Sequence, residues 1–578
     1  MSIPFQYYGS LLADYLKPQR WTVIGLAIAL LSSIMLQIIN PQILGYFIDA
    51  VTQKGSQQNL PWAALLFIVI GFLIQTFSVI ATYLGETVAW TATNALRLDL
   101  VAHCLHLDLC FHKAHTPGEL LERVDGDVNV LSRFFSQLII HIGGNGFLLL
   151  GILVVLWIEN PLAGLGLTIF SLVALSLLLS VQSLAIAPWA QYRQISAEFY
   201  GTLGEQIAGR EDIRANGAVG YVMHRFHTLL QRWLPIYQKA RFASTVLWAA
   251  SVGLFTVGNV IALTISAYLW QQKTITIGTA YLIFHYTNLL AQPIERIREE
   301  LEQLQQVQAS IQRLQLLLYR HSVVPNRGTV ALPSGAVSVC FQQVWFSYEP
   351  GNAGVLQNIS FDLPAGQVLG LLGHTGSGKS TIARLLLRLY DIQSGQILLD
   401  GHSITEIPLA QLRQRVGFVT QDVQLFQATV RDNLTFFDSR ISDTWILEIL
   451  AELGLMPWMR SLPDGLNTSL GTDSSGLSAG QAQLLTLVRV FLKNPALVIL
   501  DEASARLDPQ TEAQVKQAIH KLLENRTGIL IAHRLQTLQR ADQILILEQG
   551  KVVEYGDRQT LISQPTSHFA QLLGKQEE

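Results

Sequence analysis

Residues 373–381 read Gly-His-Thr-Gly-Ser-Gly-Lys-Ser-Thr. They fit G-x-x-x-x-G-K-[ST], with Gly373, Gly378, Lys379 and Ser380 in the defining places. The flanks agree with the motif. Val368–Leu372 is an apolar run that reads as a buried strand, and the run from Thr381 to Leu387 reads as the start of a helix. Glycines let the backbone wrap closely around an anion, so the N–H groups of His374, Thr375, Gly376 and Ser377 and the helix N-terminus would face phosphate. Lys379 would reach the outer phosphates, and the Ser380 hydroxyl would ligate Mg²⁺. From Val337 onward β-rich runs alternate with helical patterns, as an α/β nucleotide-binding domain requires.

The rest of the chain has a different composition. Of 578 residues half are hydrophobic and only 14% are charged, against about 25% in ordinary soluble domains. The deficit is concentrated before residue 300, which predicts a membrane part joined to a soluble part. A net charge of −3 implies no nucleic-acid partner. Cys104, Cys110 and Cys340 do not make a disulfide framework.

Charge-free stretches long enough to span hydrocarbon run from Trp21 to Ile48, Pro61 to Gly85, Phe134 to Ile158, Leu162 to Ile186, Phe242 to Trp270 and Thr274 to Pro293. Six spans are expected, with Pro41 kinking the first and Pro161 opening the fourth. The segments between spans two and three and between four and five are long and carry most of the Arg and Lys. This places both long loops and both termini in the cytoplasm. Their helical periodicity predicts extensions of the spanning helices. The expected domains are an interfacial helix at 1–20, a transmembrane domain at 21–320, a linker at 321–336 and a nucleotide-binding domain at 337–578.

Downstream of the phosphate loop, Leu497-Val498-Ile499-Leu500-Asp501-Glu502 is an apolar strand ending in two acids. Asp501 suits a metal shell, and Glu502, one residue beyond the strand, suits the attacking water.

With these motifs in order, the soluble half resembles an ABC-transporter ATPase domain. Six spans followed by one such domain resemble an exporter-type ABC half-transporter over nearly the whole chain. The resemblance implies that the substrate of hydrolysis is ATP. It also implies roles for individual residues. Leu477-Ser478-Ala479-Gly480-Gln481 resembles the signature motif that contacts ATP held by the opposite subunit. Tyr348 matches the aromatic that stacks on adenine, with Trp345 assigned to the core. Gln421 matches the glutamine that touches Mg²⁺, His533 the switch histidine at the γ-phosphate, and Asp508 the aspartate of a loop crossing the dimer interface. Thr381 completes the loop contacts. His112, Thr116 and Gly118 fall in a segment resembling the first coupling helix, and Asp212 and Ile213 in one resembling the second.

One phosphate loop and one signature per chain imply a dimer with a second half-transporter, identical or not, embedded in the bilayer. The expected activity is ATP-driven efflux by alternating access. The alternatives are a regulatory subunit of a heterodimer and an importer built on the exporter fold. Ala482, Ala505 and Arg506, and Thr472-Asp473 after Gly471, depart from the usual pattern at interface elements. His103, His106 and Cys110 would share one helical face, a conceivable metal site within the patch 103–115. His285 with Tyr286, inside the sixth span, is a candidate for the substrate path. The transported substrate does not follow from these residues.

Overall fold

A computed structural model describes residues 15–52, 59–137, 142–326, 328–349, 354–420, 423–471, 477–501, 509–532 and 535–577. They form two compact units, Met1–Leu105 with Pro117–Arg320, and His106–Thr116 with His321–Glu578.

The first half of the chain is helical. In order it contains α1 (Arg20–Thr52), α2 (Leu60–His106), α3 (Leu109–Ala114), α4 (Pro117–Leu121), α5 (Val128–Gln137), α6 (Gly144–Glu159), α7 (Pro161–Ala208), α8 (Arg210–Ala215), α9 (Val219–Gln271) and α10 (Ile277–Leu318). A helix satisfies its own backbone, which is what hydrocarbon demands. Among the described residues α1, with the short turn before it, α2, α7 and α9 are long and apolar enough to cross a membrane. With 47 residues in α2 and 53 in α9, each is about 70–80 Å long, more than twice the hydrocarbon thickness. The long loops are thus largely helical continuations of the spans.

The span boundaries differ from expectation in two places. The third expected span is divided into α5 and the 16-residue α6, with 138–141 outside the described residues. The sixth begins at Ile277, because Thr276 caps that helix by accepting the N–H of Thr279, and it runs on unbroken through the charged stretch to Leu318. Pro161 opens α7, as expected, behind the Asn160 side chain, which accepts from the N–H of Leu162. Pro41 is buried within α1, and the helix continues through it.

α1 and α10 meet at a small residue. A Cβ on Gly278 would come within 2.3 Å of the Gly45 carbonyl oxygen. Asp49 secures the joint by accepting from the Gly278 N–H at 2.7 Å and the Thr276 hydroxyl at 2.6 Å. Tyr286 lies in the apolar core of this bundle, fully buried, and donates its hydroxyl to the Ile38 carbonyl at 2.7 Å. That hydroxyl is a satisfied packing group. His285 is half-buried and stacks on Tyr281 one turn away.

The second half carries β1 (Val339–Phe346), β2 (Leu356–Leu363), β3 (Val368–Leu372), β4 (Ser394–Leu399), β5 (His402–Ser403), β6 (Val416–Val419), β7 (Ala428–Thr429), β8 (Ser469–Leu470), β9 (Leu497–Asp501), β10 (Thr527–Ile531), β11 (Gln543–Glu548) and β12 (Lys551–Asp557). An antiparallel sheet of order β2-β1-β4-β5 packs on a six-stranded sheet of order β12-β11-β3-β10-β9-β6. Within the latter, β11, β3, β10, β9 and β6 run parallel. The central strands β3 and β10 are buried along their whole length, as uninterrupted apolar runs require. Trp345 is 43% exposed, contrary to its assignment to the core. Successive strand residues face opposite ways, and Val344 and Phe346 take the inward positions.

Candidate functional site

The parallel strands end together, and that edge collects the chemistry. In register, Leu371 of β3 lies beside Ile531 of β10, Ile531 beside Asp501 of β9, and Leu500 beside Val419 of β6. Ligands of open α/β sheets bind at the carboxyl ends of such strands. The phosphate loop follows β3. Gln421, Glu502 and His533 follow β6, β9 and β10 within two residues of each strand end, but all three lie outside the described residues, as do Asp508, Ala505 and Arg506.

The loop geometry depends on glycine. Gly373 has φ +145°, and a Cβ there would come within 2.2 Å of the Leu547 carbonyl oxygen. Gly378, with φ +106°, precedes helix α11 (Lys379–Leu386) and turns the chain into it. Gly376 also has positive φ, at +85°. His374, Thr375 and Gly376 are exposed at the tip, while Ser377, Lys379 and Thr381 are buried below it. The Lys379 ammonium donates to the carbonyls of Gly373 at 2.7 Å and His374 at 3.0 Å, so it is held against the loop.

Ser380 in the first turn of α11 donates its hydroxyl to Asp501 Oδ2 at 3.0 Å, across 121 residues of sequence. The pair offers a hydroxyl and a carboxylate, the hard oxygen donors that Mg²⁺ takes. Tyr348 is tied to the same helix, its hydroxyl 3.1 Å from Thr381 Oγ1 and accepting from Arg384 at 3.0 Å. Its ring is packed edge-on against Phe346 and Tyr390.

The signature segment opens helix α12 (Ala479–Lys493). Ser478 accepts the Gln481 N–H at 3.1 Å, while the Gln481 side chain accepts the Ser478 N–H at 3.0 Å. This reciprocal cap occupies both side chains and leaves an exposed Ser478 at a helix start. Gly480 is buried, as is Ala482, so the residue that departs from the family pattern sits in a core position.

Some groups at the site escaped the sequence reading. Lys113 of α3 places its ammonium 4.5 Å from the Tyr348 ring centroid. Arg489, buried in α12, donates to the carbonyls of Asn433 at 2.6 Å and Gln424 at 2.9 Å, joining the signature helix to the stretch after Gln421. Asp108 caps α3 by accepting the Phe111 N–H at 2.9 Å, and it also accepts the Val323 N–H at 2.6 Å. Burial alone would raise its carboxyl, but these backbone hydrogen bonds outweigh burial and hold it below the usual value. The Asp108 cap had a local signal, an aspartate three residues before Phe111. Lys113 and Arg489 had none.

Asp108 also divides the His/Cys patch. α2 ends at His106 and a new helix starts at Leu109, so His103 and His106 do not share a helical face with Cys110. His103 Nε2 is engaged with the Leu317 carbonyl at 2.9 Å, and no trio of His, Cys, Asp or Glu among the described residues is placed to hold a metal. Of the expected coupling residues, His112 is half-buried in α3, Thr116 lies between α3 and α4, and Gly118 is in α4. Asp212, exposed, and Ile213 lie in the six-residue α8.

Residues 23–294 match the profile of the ABC transporter transmembrane region, and residues 356–505 that of the ABC transporter ATPase. The ABC transporter ATP-binding protein YknV of Bacillus subtilis is 30% identical over 96% of this chain and 92% of its own length. An ATP-dependent lipid A-core flippase of Chromobacterium violaceum is also 30% identical, over 96% of this chain and 94% of its own. Among solved structures, a bacterial Atm1-family ABC exporter with ATP bound superposes with a TM-score of 0.82 at 25% identity, covering 97% of this chain and 98% of that one. The chain is an ABC transporter of the exporter type, an integral membrane protein whose transmembrane region is fused to a cytoplasmic ATPase domain that hydrolyses ATP to drive transport.

Proposed function

We propose that this chain is one half of a dimeric exporter in which each ATP lies between the phosphate loop of one subunit and the signature segment of the other. The observation that carries the reading is the Ser380–Asp501 hydrogen bond, which brings a hydroxyl and a carboxylate to the edge where Lys379 also sits. Tyr348 stacks on adenine. The N–H groups from Gly373 to Thr381 and the Lys379 ammonium hold the phosphates. Ser380, Asp501 and Gln421 are the residues to hold Mg²⁺, which supplies charge neutralisation on the phosphate oxygens. Glu502 takes the proton of the water that attacks the γ-phosphorus, His533 orients that phosphate, and ADP leaves as the P–O bond breaks. Ser478, Ala479, Gly480 and Gln481 approach the γ-phosphate from the partner subunit, and Asp508 lies at the same interface.

Closure of the two ATPase domains passes through the segments around His112, Thr116 and Gly118, and around Asp212 and Ile213, to six spans that alternate between inward and outward openings. Likeness to a lipid A-core flippase supports an amphiphilic cargo. Purified Glu502→Gln is expected to bind ATP while turnover falls at least about 100-fold. ATPase close to wild type would sink the assignment. ATPase of the unaltered chain purified alone separates a working half-transporter from a regulatory subunit.

A further inference from the structure

A cavity of about 840 Å³ opens between α7, α9 and α10, and nothing in the ATPase chemistry uses it. Its size fits a small organic molecule. One end is aromatic, walled by Trp189, Trp248 and Phe255. The Trp189 N–H is already committed to Ser244 at 2.9 Å, whereas the Trp248 side chain is largely exposed.

The other end is charged, just beyond the expected cytoplasmic end of span six at Pro293. Glu295, Arg298 and Glu299 line it, two acids against one base. Arg298 is buried, donates to Glu295 at 2.8 Å and stands 3.9 Å from Glu299. The carboxylate side chains are the more exposed, at 26% and 44% against 10% for the guanidinium. Arg296 meets Glu299 at 3.2 Å but does not line the cavity. Each carboxylate is thus paired with an arginine, but the carboxylates are the more exposed groups of this wall and its one lining cation lies behind them.

Asn259 adds an independent sign. Its amide nitrogen donates to Asn288 at 3.0 Å, while its buried Oδ1 receives no hydrogen bond among the described residues. A buried acceptor without a donor is costly, and a ligand N–H would satisfy it.

We infer that this cavity binds the transported molecule and selects an amphiphilic organic cation, an aryl or alkyl body carrying a protonated amine. The body lies on Trp189, Trp248 and Phe255, where the aromatic faces also attract the positive charge. The ammonium is shared between the Glu295 and Glu299 carboxylates, while Asn259 Oδ1, held beside Asn288 about two helical turns before Glu295, accepts a separate donor on the body. An anionic head group would meet two carboxylates and a guanidinium already engaged. The cation assignment rests on the chain being an exporter.

The test uses the full-length protein in nanodiscs and three probes with one aryl body: 2-(1-naphthyl)ethylamine, 2-(1-naphthyl)ethanol and 1-naphthaleneacetate. Equilibrium dialysis is expected to show the amine bound about tenfold or more tightly than the alcohol, and the acetate weakest. Glu295→Gln and Glu299→Gln, each checked for an unchanged elution volume and melting temperature, should weaken amine binding and leave the alcohol's affinity unchanged, whereas Trp248→Ala, checked in the same way, should weaken both. Equal affinity for the three probes, preference for the acetate, or unaltered amine binding in all three variants would overturn the assignment. ATPase of the wild-type protein, assayed in parallel, shows whether such a failure belongs to the cation site or to the exporter reading.

Discussion

The ammonium of Lys113 lies 4.5 Å from the centroid of the Tyr348 ring. This joins a residue of the short helix Leu109–Ala114 to the aromatic proposed for adenine. A cation held over an exposed ring contributes about 0.5–1 kcal/mol, and it occupies surface that a base would use. Lys113→Ala is therefore expected to tighten ATP binding by about two- to fivefold, and Tyr348→Ala to weaken it. Titration of both variants with a fluorescent ATP analogue reads the two effects. Weaker binding in Lys113→Ala would mean that the lysine supports the nucleotide.

Asp501 receives the Ser380 hydroxyl at 3.0 Å, and the pair is the proposed core of the Mg²⁺ shell. Asp501→Asn preserves shape and removes charge. ATPase should fall by about 100-fold or more while Mg²⁺-free nucleotide binding changes little. A Mg²⁺ titration of turnover would show the defect as a raised metal requirement.

Gly373 combines φ +145° with a carbonyl 2.2 Å from where a Cβ would sit. Gly373→Ala must move β11 or the loop itself, at a cost of about 1–3 kcal/mol from backbone strain alone. Loss of nucleotide binding together with a lower melting temperature is expected. A variant that binds ATP normally would show that the loop relaxes freely.

Asp108 has a carboxyl held below its ordinary pKa by the N–H groups of Val323 and Phe111. A lowered folded-state pKa contributes stability that is present above the unfolded value. It is lost as pH falls through the lowered one. The melting temperature of Asp108→Asn should therefore lie below that of wild type at pH 7. The gap should close as pH drops through and below the ordinary carboxylate range. A gap independent of pH would assign the effect to shape.

Tyr286 is fully buried, with its hydroxyl donating to the Ile38 carbonyl at 2.7 Å. Tyr286→Phe should cost about 1 kcal/mol of stability and leave the affinity for the three naphthyl probes unchanged. A shift in probe affinity with no loss of stability would put Tyr286 on the substrate path.

What the residues alone determine here is whatever is written locally. Glycine spacing around Lys379, the apolar strand ending at Asp501, and the serine opening Ser478–Gln481 each specify backbone shape within a few residues, so the ATPase fold was legible. So was the membrane part, because about 20 consecutive apolar residues have few other uses. Span ends were less legible, since Thr276 and Ile277 are settled by a cap and by the joint with Asp49, not by hydropathy. Partners far apart in sequence were not legible at all. Lys113 on Tyr348, Arg489 on Gln424 and Asn433, and Asp127 with Arg313 carry no local signal in the sequence. Only the packing of one element on another selects which charge is buried, and a buried charge must find its partner in whatever chain that packing brings near.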